Sequence, residues 1–146
     1  MLNIFEMIQR IQTIYLFIVA VFSGIGSFLI PEWDFLDQEL LIEFNSSQVA
    51  IAYLIIAVLA LFSIFIFKNR RRQMAFVKIN GLLNLALLGC FVYWFLSLPG
   101  ENNVSDLFSK KGIGILIPII SIVFLRLAYK AIKKDDDLVK SVNRLR

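Results

Sequence analysis

The sequence predicts an all-α membrane protein, a bundle of four transmembrane helices with both termini on the cytoplasmic side. Three observations carry that prediction. Of 146 residues, 59% are hydrophobic and only 18% are charged, with a mean hydropathy of +0.78, which leaves too little polar surface to coat a soluble globule. The apolar residues gather into four long runs, at about 11–30, 49–67, 79–98 and 112–127. The Lys and Arg residues then sort by side. Thirteen of the fifteen lie at Arg10, in Lys68 to Lys78 and from Arg126 onward, leaving only Lys110 and Lys111 for the other face. Basic residues are retained on the cytoplasmic side, so this asymmetry requires an even number of spans.

The first run, Ile11 to Ile30, has about 20 residues, which at 1.5 Å per residue matches a hydrocarbon core of roughly 30 Å. It exceeds the roughly 7 to 15 residues of a signal-peptide apolar region, so it reads as a span and not as a cleaved leader. Ala20, Ser23, Gly24 and Ser27 recur at helical spacing and form a small-residue face for close helix approach. Pro31 ends this run. The following loop to Gln48 holds five acids, Glu32, Asp34, Asp37, Glu39 and Glu43, and no basic residue, as an outside loop should. Trp33 and Phe35 suit the interfacial aromatic belt, and Leu40 to Phe44 suits a small extracytoplasmic hairpin or an interfacial helix. The spacing of the acids does not match a calcium loop, so they read as solvated.

The second run, Val49 to Phe67, carries no charge and has its own small stripe at Ala57, Ala60 and Ser63. It closes on a basic knot, Lys68, Arg70, Arg71 and Arg72, which is a candidate contact for anionic lipid or for a partner. The third run, Ile79 to Leu98, is the most polar, with Asn80 and Asn84 four residues apart on one helix face. Amide groups in hydrocarbon need partners, so that face should point into the bundle. Tyr93 and Trp94 read as interface anchors. The fourth run, Gly112 to Leu127, contains Pro118, which membrane helices tolerate as a kink. Arg126 and Lys130 then reach toward the cytoplasmic interface.

Residues 1–132 therefore form the membrane bundle and 133–146 a cytoplasmic tail. Within the tail, Leu138, Val142 and Leu145 repeat at helical spacing with Lys140, Arg144 and Arg146 around them, the pattern of a short basic amphipathic helix. Such a helix lies on a membrane surface or docks into a partner's groove. The Asp135, Asp136, Asp137 run ahead of it reads as a solvated, helix-starting turn.

Chemistry is scarce. There is no histidine, and the lone Cys90 sits in an apolar run, so neither a disulfide within the chain nor a Cys-based metal site is available. No nucleophile is paired with a base, and no Gly-rich loop cradles phosphate, so an enzyme and a cofactor are not expected. The net charge of +4 sits at the ends of apolar runs, where it serves topology and lipid contact, and no nucleic-acid partner is expected.

Two end segments carry a resemblance. Met7-Ile-Gln-Arg-Ile-Gln-Thr-Ile-Tyr-Leu16 and Asp136-Asp-Leu-Val-Lys-Ser-Val-Asn-Arg-Leu-Arg146 resemble the end signatures of small four-span membrane proteins of Bacteroidota, catalogued as a domain of unknown function. In that family the chain commonly begins at the Met-Ile-Gln-Arg motif, whereas Met1 to Glu6 precede it here, and Asn143 stands where an acid is expected. The resemblance implies a multi-pass protein of a bacterial inner membrane and supplies no activity.

Two expectations for function follow. The first is a non-enzymatic accessory or scaffold subunit that engages a membrane or cytoplasmic partner through its basic face and tail. The alternative is a small transporter, channel or lipid-binding protein with a site between helices near Asn80 and Asn84. The small-residue faces are compatible with a monomer, a homo-oligomer or one subunit of a larger complex.

Overall fold

The computed structural model describes residues 2–29, 46–97 and 110–144, with side chains over 11–29, 47–93 and 115–142. These form four helices, α1 (Leu2–Leu29), α2 (Ser46–Phe65), α3 (Arg70–Ser97) and α4 (Lys110–Arg144), and no strand among the described residues. The acidic loop, with its expected hairpin at Leu40 to Phe44, lies outside them, as does the segment from Leu98 to Ser109. Stretches long and apolar enough to cross a membrane occur in all four helices, at Ile11–Leu29, Ser47–Phe65, Arg70–Tyr93 and Ile115–Val142. The chain is thus a multi-pass membrane protein in architecture.

Three helices run further than the apolar runs of the sequence: α1 starts at Leu2, nine residues before Ile11, and α3 and α4 extend past the runs at 79–98 and 112–127. Helix α3 begins at Arg70 because Asn69 caps it: the Asn69 side-chain oxygen accepts the Arg72 N–H at 3.4 Å, and its carbonyl accepts the Gln73 N–H at 3.0 Å. The three arginines of the basic knot therefore occupy a first helical turn, with only residues 66–69 as the turn from α2. Helix α4 continues without a break through Lys133 and the three aspartates to Arg144, so the tail is the end of α4 and not a separate short helix. Neither Gly nor Pro interrupts the stretch from Arg126 to Arg144, and Lys140 bonds Asp136 one turn back. Pro118 is accommodated within α4.

Helix α1 packs between α2 and α4, and α3 packs between the same two, so the helices form a ring in chain order. The buried positions share one rhythm. On α1 they include Gln12, Leu16, Val19, Ser23 and Gly26; on α2, Val49, Tyr53, Ile56, Ala60 and Ser63; on α3, Gln73, Val77, Asn80, Asn84 and Phe91; on α4, Pro118, Ser121, Leu125, Ala128, Ile132 and Asp135. Spacings of three and four alternate, with one whole repeat of seven from Asn84 to Phe91 on α3, which is the heptad repeat of left-handed bundles. The core is two apolar layers. Leu16, Val19, Ala60, Val77, Leu125 and Ala128 make one, toward the α2–α3 turn, and Val49, Tyr53, Phe91 and Ile117 make the other. Most remaining large apolar side chains, among them Phe17, Phe28, Ile51, Leu54 and Leu82, face outward, as lipid-facing surface does.

Candidate functional site

At the end of the bundle that holds the α2–α3 turn, the basic knot divides in two. Lys68, Arg71 and Arg72 are exposed, while Arg70 turns inward against α4. Its Nη2 lies 3.0 Å from Asp135 Oδ2, and its Nη1 donates to the Asp135 carbonyl at 2.8 Å. Asp135 is only 2% exposed. Its carboxylate also supplies the negative charge that the first turn of α3, with three arginines and no acid, otherwise lacks.

The reading of the three aspartates as one solvated turn is thereby corrected. Asp135 points into the helix contact, Asp136 pairs with Lys140, and Asp137 is exposed. No group of three or more metal-binding side chains forms among the described residues. The inward position of Asp135 is written in the spacing: Leu125, Ala128, Ile132 and Asp135 continue one heptad face. Nearby, the Lys78 ammonium stands 5.2 Å from the centre of the Tyr129 ring, a cation–π contact that also ties α3 to α4.

Beyond Asp135 the end of α4 is open. Leu138 and Val142, singled out from sequence, are exposed, and Val139, which sequence spacing did not flag, joins them. Lys133, Lys134 and Lys140 stand exposed along the same segment. Arg144 is the last described residue of the helix, its side chain outside the described residues, and Leu145 lies outside them altogether.

Inside the bundle, Asn80 and Asn84 are both fully buried, as the amide face requires. Asn80 Nδ2 donates across the helix contact to the Ile56 carbonyl of α2 at 3.1 Å. Asn84 Nδ2 donates back to Asn80, reaching both its carbonyl and its Oδ1 at 3.0 Å. The Asn84 Oδ1 finds no partner. The same holds for the buried Ser23 and Ser121 hydroxyls and for Gln12 Nε2. Sequence reasoning took Ser23 only as a small residue and passed over Gln12 and Ser121. Their place in the heptad rhythm is the signal that finds them.

A family model described as a domain of unknown function (DUF4293) matches residues 8–145. No curated protein and no solved structure matches the chain.

Proposed function

The chain belongs to the DUF4293 family, a domain of unknown function, and we propose that it serves as a non-enzymatic accessory or scaffold subunit of a bacterial inner membrane. In this reading both termini are cytoplasmic, and the basic end of the bundle engages a membrane or cytoplasmic protein partner. The supporting observation is the open end of α4. Past the Arg70–Asp135 pair the helix continues to Arg144, about 13 Å at 1.5 Å per residue, carrying exposed Leu138, Val139 and Val142 around Lys140, with exposed Lys133 and Lys134 just before the pair. A basic helix with an apolar stripe is suited to a partner's groove. Exposed Lys68, Arg71 and Arg72 beside the turn suit anionic headgroups at the same face.

The test is a mild-detergent pull-down from native membranes with the tag at the N-terminus, so that the tail stays free. Mass spectrometry should find a stoichiometric protein partner, and Leu138→Asp or Val142→Asp should abolish its recovery while the bundle stays folded. Recovery unchanged by both substitutions would sink the docking role of α4.

The alternative, a transported or bound solute between helices, draws on the unpartnered Asn84 Oδ1 and the buried Ser23 and Ser121 hydroxyls, none of them charged. Asp135 is the one buried carboxylate among the described residues, and it is held by Arg70 at the bundle's end, so ion coupling at mid-depth has no group to run on.

A further inference from the structure

Ser23, Asn84 and Ser121 belong to three helices and lie at one level. Start from the Arg70–Asp135 pair, which sets the register of α3 against α4. Fourteen residues up α3 is Asn84, and fourteen residues back along α4 is Ser121. Fourteen residues is nearly four turns, about 21 Å, so both return to the face that carries the ion pair. On α1, Gly26 lies at the level of Ile117 and Tyr53, because a Cβ built there would stand 3.2 Å from Ile117 Cδ1 and 3.3 Å from Tyr53 Cδ1. One turn below that contact, α1 presents Ser23, α2 presents Ile56 and α4 presents Ser121. Asn80, bonded to the Ile56 carbonyl, brings its neighbour Asn84 to the same level. This polar layer separates the two apolar layers of the core.

All three side chains are fully buried. The serines behave unlike others in the chain: Ser27, Ser63 and Ser141 each donate back to a carbonyl of their own helix, at 2.7, 2.9 and 2.7 Å, whereas Ser23 and Ser121 do not. Asn84 directs its amide nitrogen to Asn80, and its Oδ1, an acceptor only, is left without a partner. One acceptor and two hydroxyls, with no charge in the layer, match a small neutral group that both donates and accepts. Water, with typically about three polar partners in protein interiors, is the smallest that does so. We propose that Ser23, Asn84 and Ser121 hold an ordered water at the centre of the bundle, bridging α1, α3 and α4 within the membrane. This inference is independent of the scaffold reading.

Radiolytic hydroxyl-radical footprinting of the detergent-solubilised protein tests it, because radicals born from a bound water oxidise the side chains beside it. Ile56, in the layer, and Ile132 and Leu16, in the apolar layer, are all buried, so bulk solvent treats them alike. Ile56 should be oxidised several-fold faster than Ile132 and Leu16. The paired substitutions Ser23→Ala and Ser121→Ala, each a loss of one oxygen, should bring Ile56 down to their rate. Equal rates in the unaltered protein would overturn the proposal, and that comparison needs no variant to fold. A fast Ile56 rate that survives the paired substitutions would overturn it as well. A small organic molecule retained in native mass spectrometry and lost with those substitutions would overturn the assignment to water.

Discussion

Arg70 and Asp135 are unequal partners, and the inequality is testable. Asp135 is 3% exposed at its side chain and Arg70 is 22% exposed, so the two cannot recover equally from losing each other. Removing Arg70 strands a buried carboxylate, a loss that costs about 3–5 kcal/mol when both charges are deeply buried and less here, where one partner reaches water. Arg70→Gln should therefore lower the detergent melting temperature more than Asp135→Asn, after which Arg70 keeps its bond to the residue 135 carbonyl. The reverse order would show that the pair does not hold α3 to α4 as described. Asn80 and Asn84 differ in the same manner. Asn80 links α3 to α2, while Asn84 donates only to its own helix, so Asn80→Leu should cost the larger share of the roughly 0.6 to 2 kcal/mol typical of polar contacts between membrane helices. The inward turn of this amide face was legible from two asparagines four apart. Asp135 was not, because three adjacent acids among lysines look alike until the rhythm of α4 is carried past the apolar run.

At the scale of the helix, the small-residue stripes of the sequence mark packing faces only in part. On α1, Ala20 and Ser23 are buried, Gly24 and Ser27 are half-buried, and of the two glycines it is Gly26, outside the predicted stripe, that packs against its neighbours. A 3.5-residue repeat explains the difference, since it selects Ser23 and Gly26 where equal small size could not. Gly26→Val should destabilise the bundle by about 1–3 kcal/mol through overpacking against Ile117 and Tyr53. Gly24, where an added Cβ meets nothing within 4 Å, should accept Ala without loss and gain up to about 1 kcal/mol of helix propensity. Thermal unfolding of the two variants side by side checks both signs. Helix boundaries were the least legible feature: hydropathy stops at Leu127 and begins at Ile79, but the backbone starts α3 at the Asn69 cap and carries α4 on to at least Arg144.

For the whole molecule, four spans were legible because length and apolar composition alone satisfy a bilayer. Orientation rests on the distribution of Lys and Arg, and it makes its own prediction. In a Cys90→Ala background, a cysteine placed at Glu101 should react with a membrane-impermeant thiol reagent added to spheroplasts, and one placed at Lys140 should react only after lysis. Labelling of Lys140→Cys in intact spheroplasts would invert the topology. The heptad rhythm has a further effect on how the bundle finds itself. A repeat of seven is blind to displacement by seven: α4 slid along α3 by one repeat, about 10.5 Å, would still set apolar faces together. It would also carry Asp135 away from Arg70 and bring Ser121 level with Val77 or Phe91 in place of Asn84. The charged pair at one end and the polar layer two repeats away thus act as vernier marks, admitting one alignment out of several that shape alone would accept.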